Sequence, residues 1–310
     1  MSHRKLLENV YFIPGFTNIG LIKSTFNGEN CIYLIDSGPD RNAAQEIEEE
    51  LKKMFPEGYK ISAVINTHGH SDHVGGNNFF QTNYDCQILI PEKEEAISKN
   101  LCSNINYIWG GKAIPELTIW YSLKEGFKAT KFIKAGDEIK LSDGAKISFT
   151  KLYGHSIEQL GVLYTSKEGK TVFFTGDAYL GLDELCKSKI SFQEQTYTAL
   201  KTMKELLTMK CDFFVQSHGI VPATDDEVQE TVSANIRALE KTIAYIKYLL
   251  NKKNHTTETI VSKIINKFSI GVKAVNYALI YSTTKSLLSE LHEENEINIK
   301  LKEGFFYWSK

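Results

Sequence analysis

The most informative segment of the chain is Thr67-His68-Gly69-His70-Ser71-Asp72-His73. It places three histidines and one aspartate within six residues, directly after the apolar run Ala63-Val64-Ile65-Asn66, which predicts a buried strand. Imidazole nitrogens and carboxylate oxygens are the ligands that borderline divalent metals such as zinc prefer. Because neutral burial would leave too many polar atoms without partners, these four side chains are not expected to be ordinary core residues.

The spacing within this segment predicts two metal positions rather than one. Residues two apart in an extended segment point the same way, so His68 and His70 are expected to bind one ion. Asp72 and His73 lie past a bend, where they can serve a second ion. Chance clustering on the surface is the alternative, and the location at the end of an apolar strand argues against it.

Three further polar residues each follow a predicted strand and neighbour a glycine. They are His155, Asp177 and His218. A neighbouring glycine lets the backbone approach closely, as a crowded site requires. A single histidine at such a position is more often a capping or surface residue. Three such residues in addition to the histidine-rich segment favour metal ligation.

Taken in order, these motifs resemble those of the metallo-β-lactamase superfamily, in particular its glyoxalase-II-like metallohydrolase branch. The ordered set is Leu34-Ile35-Asp36-Ser37-Gly38, Thr67–His73, Gly154-His155-Ser156, Gly176-Asp177 and Ser217-His218-Gly219. The resemblance spans residues from about 10 to 222. It implies an α/β (α+β) fold, a four-layer αβ/βα sandwich with the site at one edge of its two sheets.

The resemblance also implies which residues bind metal. The first position would be held by His68, His70 and His155. The second position would be held by Asp72, His73 and His218. Asp177 would bridge the two ions. Histidine rather than glutamate at position 70 argues against the flavodiiron branch, whereas residues 156–161 depart from the Pro-Gly that many relatives carry there.

These residues predict a binuclear metal-dependent hydrolase. Two divalent ions about 3.5–4 Å apart can share a water and lower its pKa towards neutrality. A metal-bound hydroxide would then attack a small thioester, ester or lactone, as in glyoxalase-II-type and lactonase relatives. Asp72 would orient the nucleophile and return a proton to the leaving group, which makes it the predicted catalytic residue. The two ions are expected to be zinc, with iron and manganese as alternatives.

Two other activities of the superfamily stay open at this point. One is a nuclease, since some ribonuclease relatives carry a winged-helix-like appendage on this fold. From Asn251 onward, however, nine lysines face six acidic residues, which is a thin surplus for binding phosphates. The other is a mononuclear iron persulfide dioxygenase. A binding protein without catalysis is disfavoured because all seven ligand positions are filled.

Three further sets of residues have two interpretations each. Asp36 is predicted to orient a ligand imidazole or pin the metal loop, although it can also cap a turn before Ser37-Gly38. Tyr179 is a candidate substrate contact, with core packing as the alternative. The aromatic residues of 107–111 and Trp120-Tyr121 are a candidate lid or pocket wall, with core packing again as the alternative. The remaining stretch of residues 92–126 has no clear assignment.

The composition changes after Pro222, which predicts a boundary between a catalytic domain at 1–222 and a C-terminal domain at 223–310. Thr224 and Glu227 form a capping box at the start of a long amphipathic helix. A second helix is expected near Thr257 and a third over residues 272–291, interrupted near 282–284. A terminal hairpin follows, so the C-terminal domain is predicted to be winged-helix-like and to serve packing or homodimerisation.

Composition excludes several classes of protein. The 310 residues are 42% hydrophobic and 11% aromatic, enough for a substantial core. A net charge of −2 without long charge blocks does not suggest a general nucleic-acid binder, so a small-molecule substrate is expected. The sequence has no apolar run of membrane-spanning length, and its five cysteines never form a C-x-x-C pair, so a cytoplasmic protein is expected. The remaining histidines, His3, His255 and His292, are expected at the surface.

Overall fold

The computed structural model describes residues 2–98 and 102–310, with the side chains of Trp120 and Tyr121 outside the described part. Seven strands form a first sheet in chain order, antiparallel from β1 to β4 and parallel from β4 to β7. They are β1 (Arg4–Leu7), β2 (Val10–Ile13), β3 (Ile19–Phe26), β4 (Glu29–Ile35), β5 (Lys60–Ile65), β6 (Gln87–Pro91) and β7 (Lys131–Ile133).

The second sheet has five strands in the order β12-β11-β10-β9-β8. They are β8 (Glu138–Lys140), β9 (Lys146–Lys151), β10 (Leu160–Thr165), β11 (Thr171–Gly176) and β12 (Phe213–Gln216). β11 and β12 are parallel, and the other pairs are antiparallel. The β-branched and aromatic residues that predicted these strands alternate between the two faces of the sheet, as the pleat requires.

The two sheets pack face to face through an apolar core. Ile35 and Ile65 from the first sheet meet Phe149, Val162 and Phe174 from the second, and all five are buried. Side chains from both inner faces fill the space between the sheets, as in other stacked sheets. This core fixes the distance between the strand ends of the two sheets.

Helices cover both outer faces, which completes four layers. On the first sheet, α1 (Arg41–Met54) and α3 (Asn77–Tyr84) pack through Ile47 and Phe80. α1 is capped by Asp40, whose carboxylate accepts a hydrogen bond from the Ala43 backbone. α2 (Ser71–Val74) includes the last three residues of the segment Thr67–His73. On the second sheet, Phe173 meets helices α8 (Thr196–Leu206) and α9 (Asp225–Lys252), preceded by α7 (Leu182–Ser188). The predicted four-layer fold is confirmed.

Residues 92–126, which the sequence left unassigned, form three short helices. They are α4 (Glu92–Ser98), α5 (Ser103–Trp109) and α6 (Pro115–Tyr121). Ile105, Ile108 and Leu117 pack against Ala278 of the C-terminal part. Of the two aromatic residues in the stretch 107–111, Trp109 packs against this cluster, whereas Tyr107 is half-exposed.

The C-terminal part follows the predicted winged-helix-like order. After α9 come β13 (His255–Thr256), α10 (Thr257–Phe268), α11 (Ala274–Glu293), β14 (Asn298–Lys302) and β15 (Phe305–Ser309). Half of the predicted capping box is present: the Thr224 hydroxyl accepts from the Glu227 backbone, whereas the Glu227 carboxylate accepts from the backbone of Ala223 and not of Thr224. The predicted interruption near 282–284 is wrong, because α11 runs unbroken through these residues.

The C-terminal part differs from the prediction at His255, and its apolar core bears on the predicted domain boundary. His255 is buried rather than exposed, because β13 pairs with β15 and sets it opposite Trp308. One continuous apolar core joins α8 and β11 with α9, α10 and α11 across residue 222. The division into two domains at that residue stays a prediction. In the described part of the chain, no helix is long and apolar enough to cross a membrane.

Candidate metal centre

The polar residues singled out in the sequence lie where strands of both sheets end. Asp36 follows β4, and the segment from His68 to His73 follows β5, its parallel neighbour in the first sheet. Asp177 and His218 follow the parallel strands β11 and β12 of the second sheet, and His155 lies in the loop after β9. Carboxyl ends of parallel strands meet at one sheet edge, so each sheet gathers its own set of donors there.

The first predicted set of ligands forms a compact group of imidazoles. The Nδ1 atom of His70 lies 3.0 Å from Nε2 of His68 and 3.0 Å from Nε2 of His155. One donor atom from each of the three lies within 4.8 Å of the others, and all three side chains are buried. This spacing suits three nitrogens that converge on one ion.

The second predicted set forms a similar group beside it. Nε2 of His218 lies 3.1 Å from Oδ2 of Asp72, and Nε2 of His73 lies 3.7 Å from the same oxygen. Donor atoms of all three residues again fall within 4.8 Å of one another.

Asp177 lies between the two groups. Its Oδ2 atom is 3.4 Å from Nε2 of His155 and 3.2 Å from Nε2 of His218. Its Oδ1 atom is 3.4 Å from Nε2 of His73. The structure thus brings all seven predicted side chains together, with Asp177 at the junction of the two sets.

The hydrogen bonds of this centre are incomplete in a way that fits metal ions. Within the described residues, Nε2 of His73 and Oδ1 of Asp177 are buried and have no hydrogen-bond partner. A buried polar group without a partner costs free energy, and a buried charge costs more. Nitrogen and carboxylate donors grouped in this way suit a borderline divalent cation.

The electrostatics differ between the two sets. Burial and neighbouring imidazoles lower the pKa of His70 to about 3, and burial lowers the pKa of His155. These imidazoles are neutral near pH 7, with a lone pair available. Burial opposes charge on His73 too, but Asp177, Asp72 and Asp36 outweigh it and raise its pKa to about 10. An ion bound by His73 would have to displace this proton.

The hydrogen bonds of Asp36 favour its first interpretation, as a residue that orients an imidazole or pins the loop, over the turn cap. Its carboxylate accepts from Nδ1 of His73 at 2.8 Å, from the Thr67 backbone at 2.8 Å and from the Thr67 hydroxyl at 2.9 Å. It therefore orients an imidazole and also pins the start of the loop. Asp36 has a φ of 64°, a left-handed conformation that aspartate tolerates better than most residues.

Glu94, a buried residue of α4, connects the two ligand loops and was missed by the sequence analysis. Its carboxylate accepts from the backbones of Gly69 at 3.0 Å and Glu158 at 2.7 Å, and from the Ser156 hydroxyl. A Cβ atom at position 69 would lie 2.2 Å from the Glu94 carbonyl oxygen, so this approach requires glycine. Nothing local marks Glu94, because its partners are distant in sequence.

The loop after His155, where the sequence departs from the family pattern, also supports the centre. The Gln159 side chain accepts from the Asp177 backbone at 3.0 Å and donates to the Leu152 carbonyl at 3.1 Å. The departing residues therefore tie the loop of His155 to Asp177.

Two backbone carbonyl oxygens orient two of the predicted ligands. The Phe192 carbonyl accepts from Nδ1 of His155 at 2.9 Å, and the Phe16 carbonyl accepts from Nδ1 of His218 at 2.8 Å.

A cavity of about 470 Å³ opens onto the centre. Five of the seven predicted ligands line it, and they are His70, Asp72, His155, Asp177 and His218. Much of the remaining wall is apolar, with Phe16, Ile108, Leu180, Ile190, Phe192 and Leu279. Tyr179 is not among the lining residues: it is fully buried in the core under the second sheet, so the structure favours its packing interpretation.

Of the residues predicted to form a lid or pocket wall, only the stretch 107–111 can be compared with this cavity. Ile108 of α5 reaches the cavity, while the side chains of Trp120 and Tyr121 lie outside the described residues.

Comparisons with known proteins agree with this geometry. A family model described as the metallo-beta-lactamase superfamily matches residues 12–218. The probable metallo-hydrolase YflN of Bacillus subtilis (strain 168) is 38% identical over 88 residues, 28% of this chain and 29% of that protein. A UPF0173 metal-dependent hydrolase of Bacillus pumilus (strain SAFR-032) is 25% identical over 170 residues, 52% of this chain and 66% of that protein. The chain thus spans less than two thirds of either relative.

A solved structure shares the fold over nearly the whole chain. The crystal structure of a beta-lactamase domain protein from Burkholderia ambifaria superposes with a TM-score of 0.77 at 15% identity. The match covers 99% of this chain and 93% of that one. The similarity of fold therefore includes the C-terminal helices.

Proposed function

Because the chain belongs to the metallo-beta-lactamase superfamily, we propose that it is a binuclear metal-dependent hydrolase acting on a small thioester, ester or lactone. The observation that carries this proposal is the position of Asp177, whose carboxylate contacts a histidine of each predicted set within 3.4 Å. A carboxylate placed in this way can serve two ions at once. When bound, two divalent ions would lower the pKa of a water towards neutrality and polarise the oxygen of the substrate.

The chain's own residues would divide the remaining work. His68, His70 and His155 offer neutral nitrogens to the first ion, and zinc is the proposed metal, with iron and manganese as alternatives. Asp72 lines the cavity, where its carboxylate can orient the attacking group and hand a proton to the leaving group. Burial opposes ionisation of Asp72, but His73 and His218 hold its pKa below the usual range, so it is ionised near pH 7.

The cavity wall supports the substrate class. Its apolar side chains can exclude water from the acyl portion of a substrate and bind it. The wall outside the proposed ligands does not favour a nucleic acid. Its cations are Arg4 and Lys187, and Lys187 is paired with Glu184 at 2.9 Å. Two basic side chains beside the acidic Asp183 and Glu184 form no positive track for a phosphate backbone.

A turnover screen with defined metal loading tests the proposal. Thioesters, lactones, phosphodiesters and persulfides should be offered to protein loaded with two zinc ions, two manganese ions or one iron ion. We expect hydrolysis of a thioester, ester or lactone with two ions bound, and loss of that turnover in His70→Ala. Oxidation of a persulfide with a single iron would reject the proposal, and so would chelator-sensitive RNA cleavage without ester or thioester hydrolysis.

A further inference from the structure

One face of the C-terminal helix α11 lies against the segment that leads into α8. It carries Leu279, Thr283, Ser286 and Glu290, at steps of four, three and four residues, which place them in one row along the helix. Leu279 lines the cavity, and the three polar residues of the row all bond to a single segment, residues 192–197, before and at the start of α8.

These bonds are directed at backbone atoms of the segment. The Thr283 hydroxyl accepts from the Gln193 backbone at 3.1 Å, and the Ser286 hydroxyl donates to the Glu194 carbonyl at 2.6 Å. The Glu290 carboxylate accepts from the backbones of Thr196 at 3.1 Å and Tyr197 at 3.2 Å.

Glu290 also caps the N-terminus of α8, which has no capping side chain of its own. The residue before α8, Gln195, makes no side-chain capping bond, so the first backbone donors of the helix depend on Glu290. A carboxylate at a helix N-terminus also interacts favourably with the helix dipole. The C-terminal helix therefore caps a helix of the catalytic part.

The same segment holds one of the predicted ligands from its other side. The Phe192 carbonyl accepts from Nδ1 of His155 at 2.9 Å, which leaves Nε2 free to face the centre. The Glu194 backbone donates to the His155 carbonyl at 3.3 Å, and the Gln195 backbone donates to the Gly154 carbonyl at 2.9 Å. His155 is thus fixed by a segment that α11 fixes in turn.

We propose that Thr283, Ser286 and Glu290 are positioning residues for His155, so that the first metal position depends on the C-terminal helix. This inference rests on the metal assignment of the proposed function. The second position is held differently, since Asp36 orients His73 and the Phe16 carbonyl orients His218. Loss of the polar row should therefore weaken the first position selectively.

The test is a double variant, Thr283→Val with Ser286→Ala, in the full chain. Valine replaces threonine with little change of shape, so the main change is the loss of two hydrogen bonds. Zinc affinity at each position is measured by chelator competition. The Phe192 carbonyl, the direct partner of His155, is retained in this variant, so the effect should lie near the low end of the about 10–100-fold that loss of such a partner costs. We expect about a 10-fold loss at the first position and less than about a twofold change at the second. The conservative variant Thr283→Ser, which keeps the hydroxyl, should retain the affinity of the parent.

The matched control is Ile260→Ala, a fully buried residue of α10 in the same apolar core. It should destabilise the C-terminal part while leaving zinc affinity at both positions unchanged. Equal zinc affinities of the double variant and the parent would overturn the inference. The inference would also be overturned if Ile260→Ala, at equal destabilisation, lost as much zinc affinity at the first position as the double variant.

A second readout keeps the inference separate from the proposed function. In metal-free protein, nitrogen-15 spectra of the imidazoles report which ring nitrogen carries the proton. We expect His155 to hold its proton on Nδ1 in the parent and to populate both tautomers in the double variant. If the parent binds no metal, the proposed function fails, while an unchanged His155 spectrum in the variant would contradict the positioning role.

Discussion

Replacing Asp36 with asparagine should weaken the second metal position much more than the first. The Asp36 carboxylate accepts three hydrogen bonds, two from Thr67 and one from Nδ1 of His73. In Asp36→Asn one oxygen can still accept from the Thr67 backbone. The amide nitrogen, however, cannot accept from the Thr67 hydroxyl or from His73, so two bonds to a charged acceptor are lost.

The size of the effect follows from what those two bonds do. Hydrogen bonds to charged groups contribute about 1.5–3 kcal/mol each. The Thr67 hydroxyl retains a second partner in Nδ1 of His68 at 3.0 Å, so most of the loss falls on His73. Losing an outer partner typically lowers metal affinity about 10–100-fold, which corresponds to about 1.4–2.8 kcal/mol. We expect a loss in that range at the second position and less than about a threefold change at the first.

The assay is zinc titration with a competing chelator, together with urea unfolding of the metal-free protein. Asp40→Asn provides the control, because Asp40 caps α1 through the Ala43 backbone and asparagine caps equally well. It should leave both affinities and stability unchanged. Equal losses at both positions in Asp36→Asn, or no loss at the second, would refute the assigned role of Asp36.

Three more variants probe the centre and its support. His70→Ala should lose metal from the first position and turnover, with a modest change in the free energy of unfolding; elemental analysis and a turnover assay check this, and unchanged activity would reject the assignment. Asp177→Ala should weaken both positions together in zinc titrations, so a loss confined to one would contradict bridging. Burial raises the pKa of Glu290 from its ordinary 4.5 to about 7 in the folded protein. The carboxyl of Glu290 thus binds its proton more tightly in the folded state than in the unfolded chain. The stabilisation that results is complete below pH 4.5 and is lost as the pH rises through about 7. Relative to Glu290→Gln, the urea-unfolding free energy of the parent should therefore fall between about pH 5 and pH 8, and a constant difference would contradict the burial of this carboxyl.

The residues that gather at the candidate centre could be picked out from the sequence because they carry local signals. Apolar alternation marks the strands, and a polar residue beside a glycine marks where each ends. His155, Asp177 and His218 were found in this way, although nothing local states that the ends of the two sheets meet. That step depends on packing between the sheets, and the order of the motifs supplied it by resemblance.

The features that the sequence did not predict depend on tertiary contacts. Glu94 is bonded to residues 25, 62 and 64 positions away, so no window around it could show its role. Tyr179 was considered for substrate binding because it follows Asp177 by two residues. The chain turns there, with the Ala178 backbone bonded to the Thr175 carbonyl, so the side chain enters the core. His255 has polar neighbours in sequence, yet strand pairing with β15 buries it.

The division of donors between the sheets has a mechanical consequence. Each proposed ion would take ligands from the segment after β5 in one sheet and from the strand ends of the other. The sheets also meet through apolar side chains and through a few directional bonds, such as those of Glu94 to the loop after His155 and of the Phe16 carbonyl to His218. Bound cations would thus act as non-covalent cross-links between two halves of the chain, joined in sequence between β7 and β8. If the chain were split there, each fragment would hold an incomplete donor set, and metal would favour their reassembly.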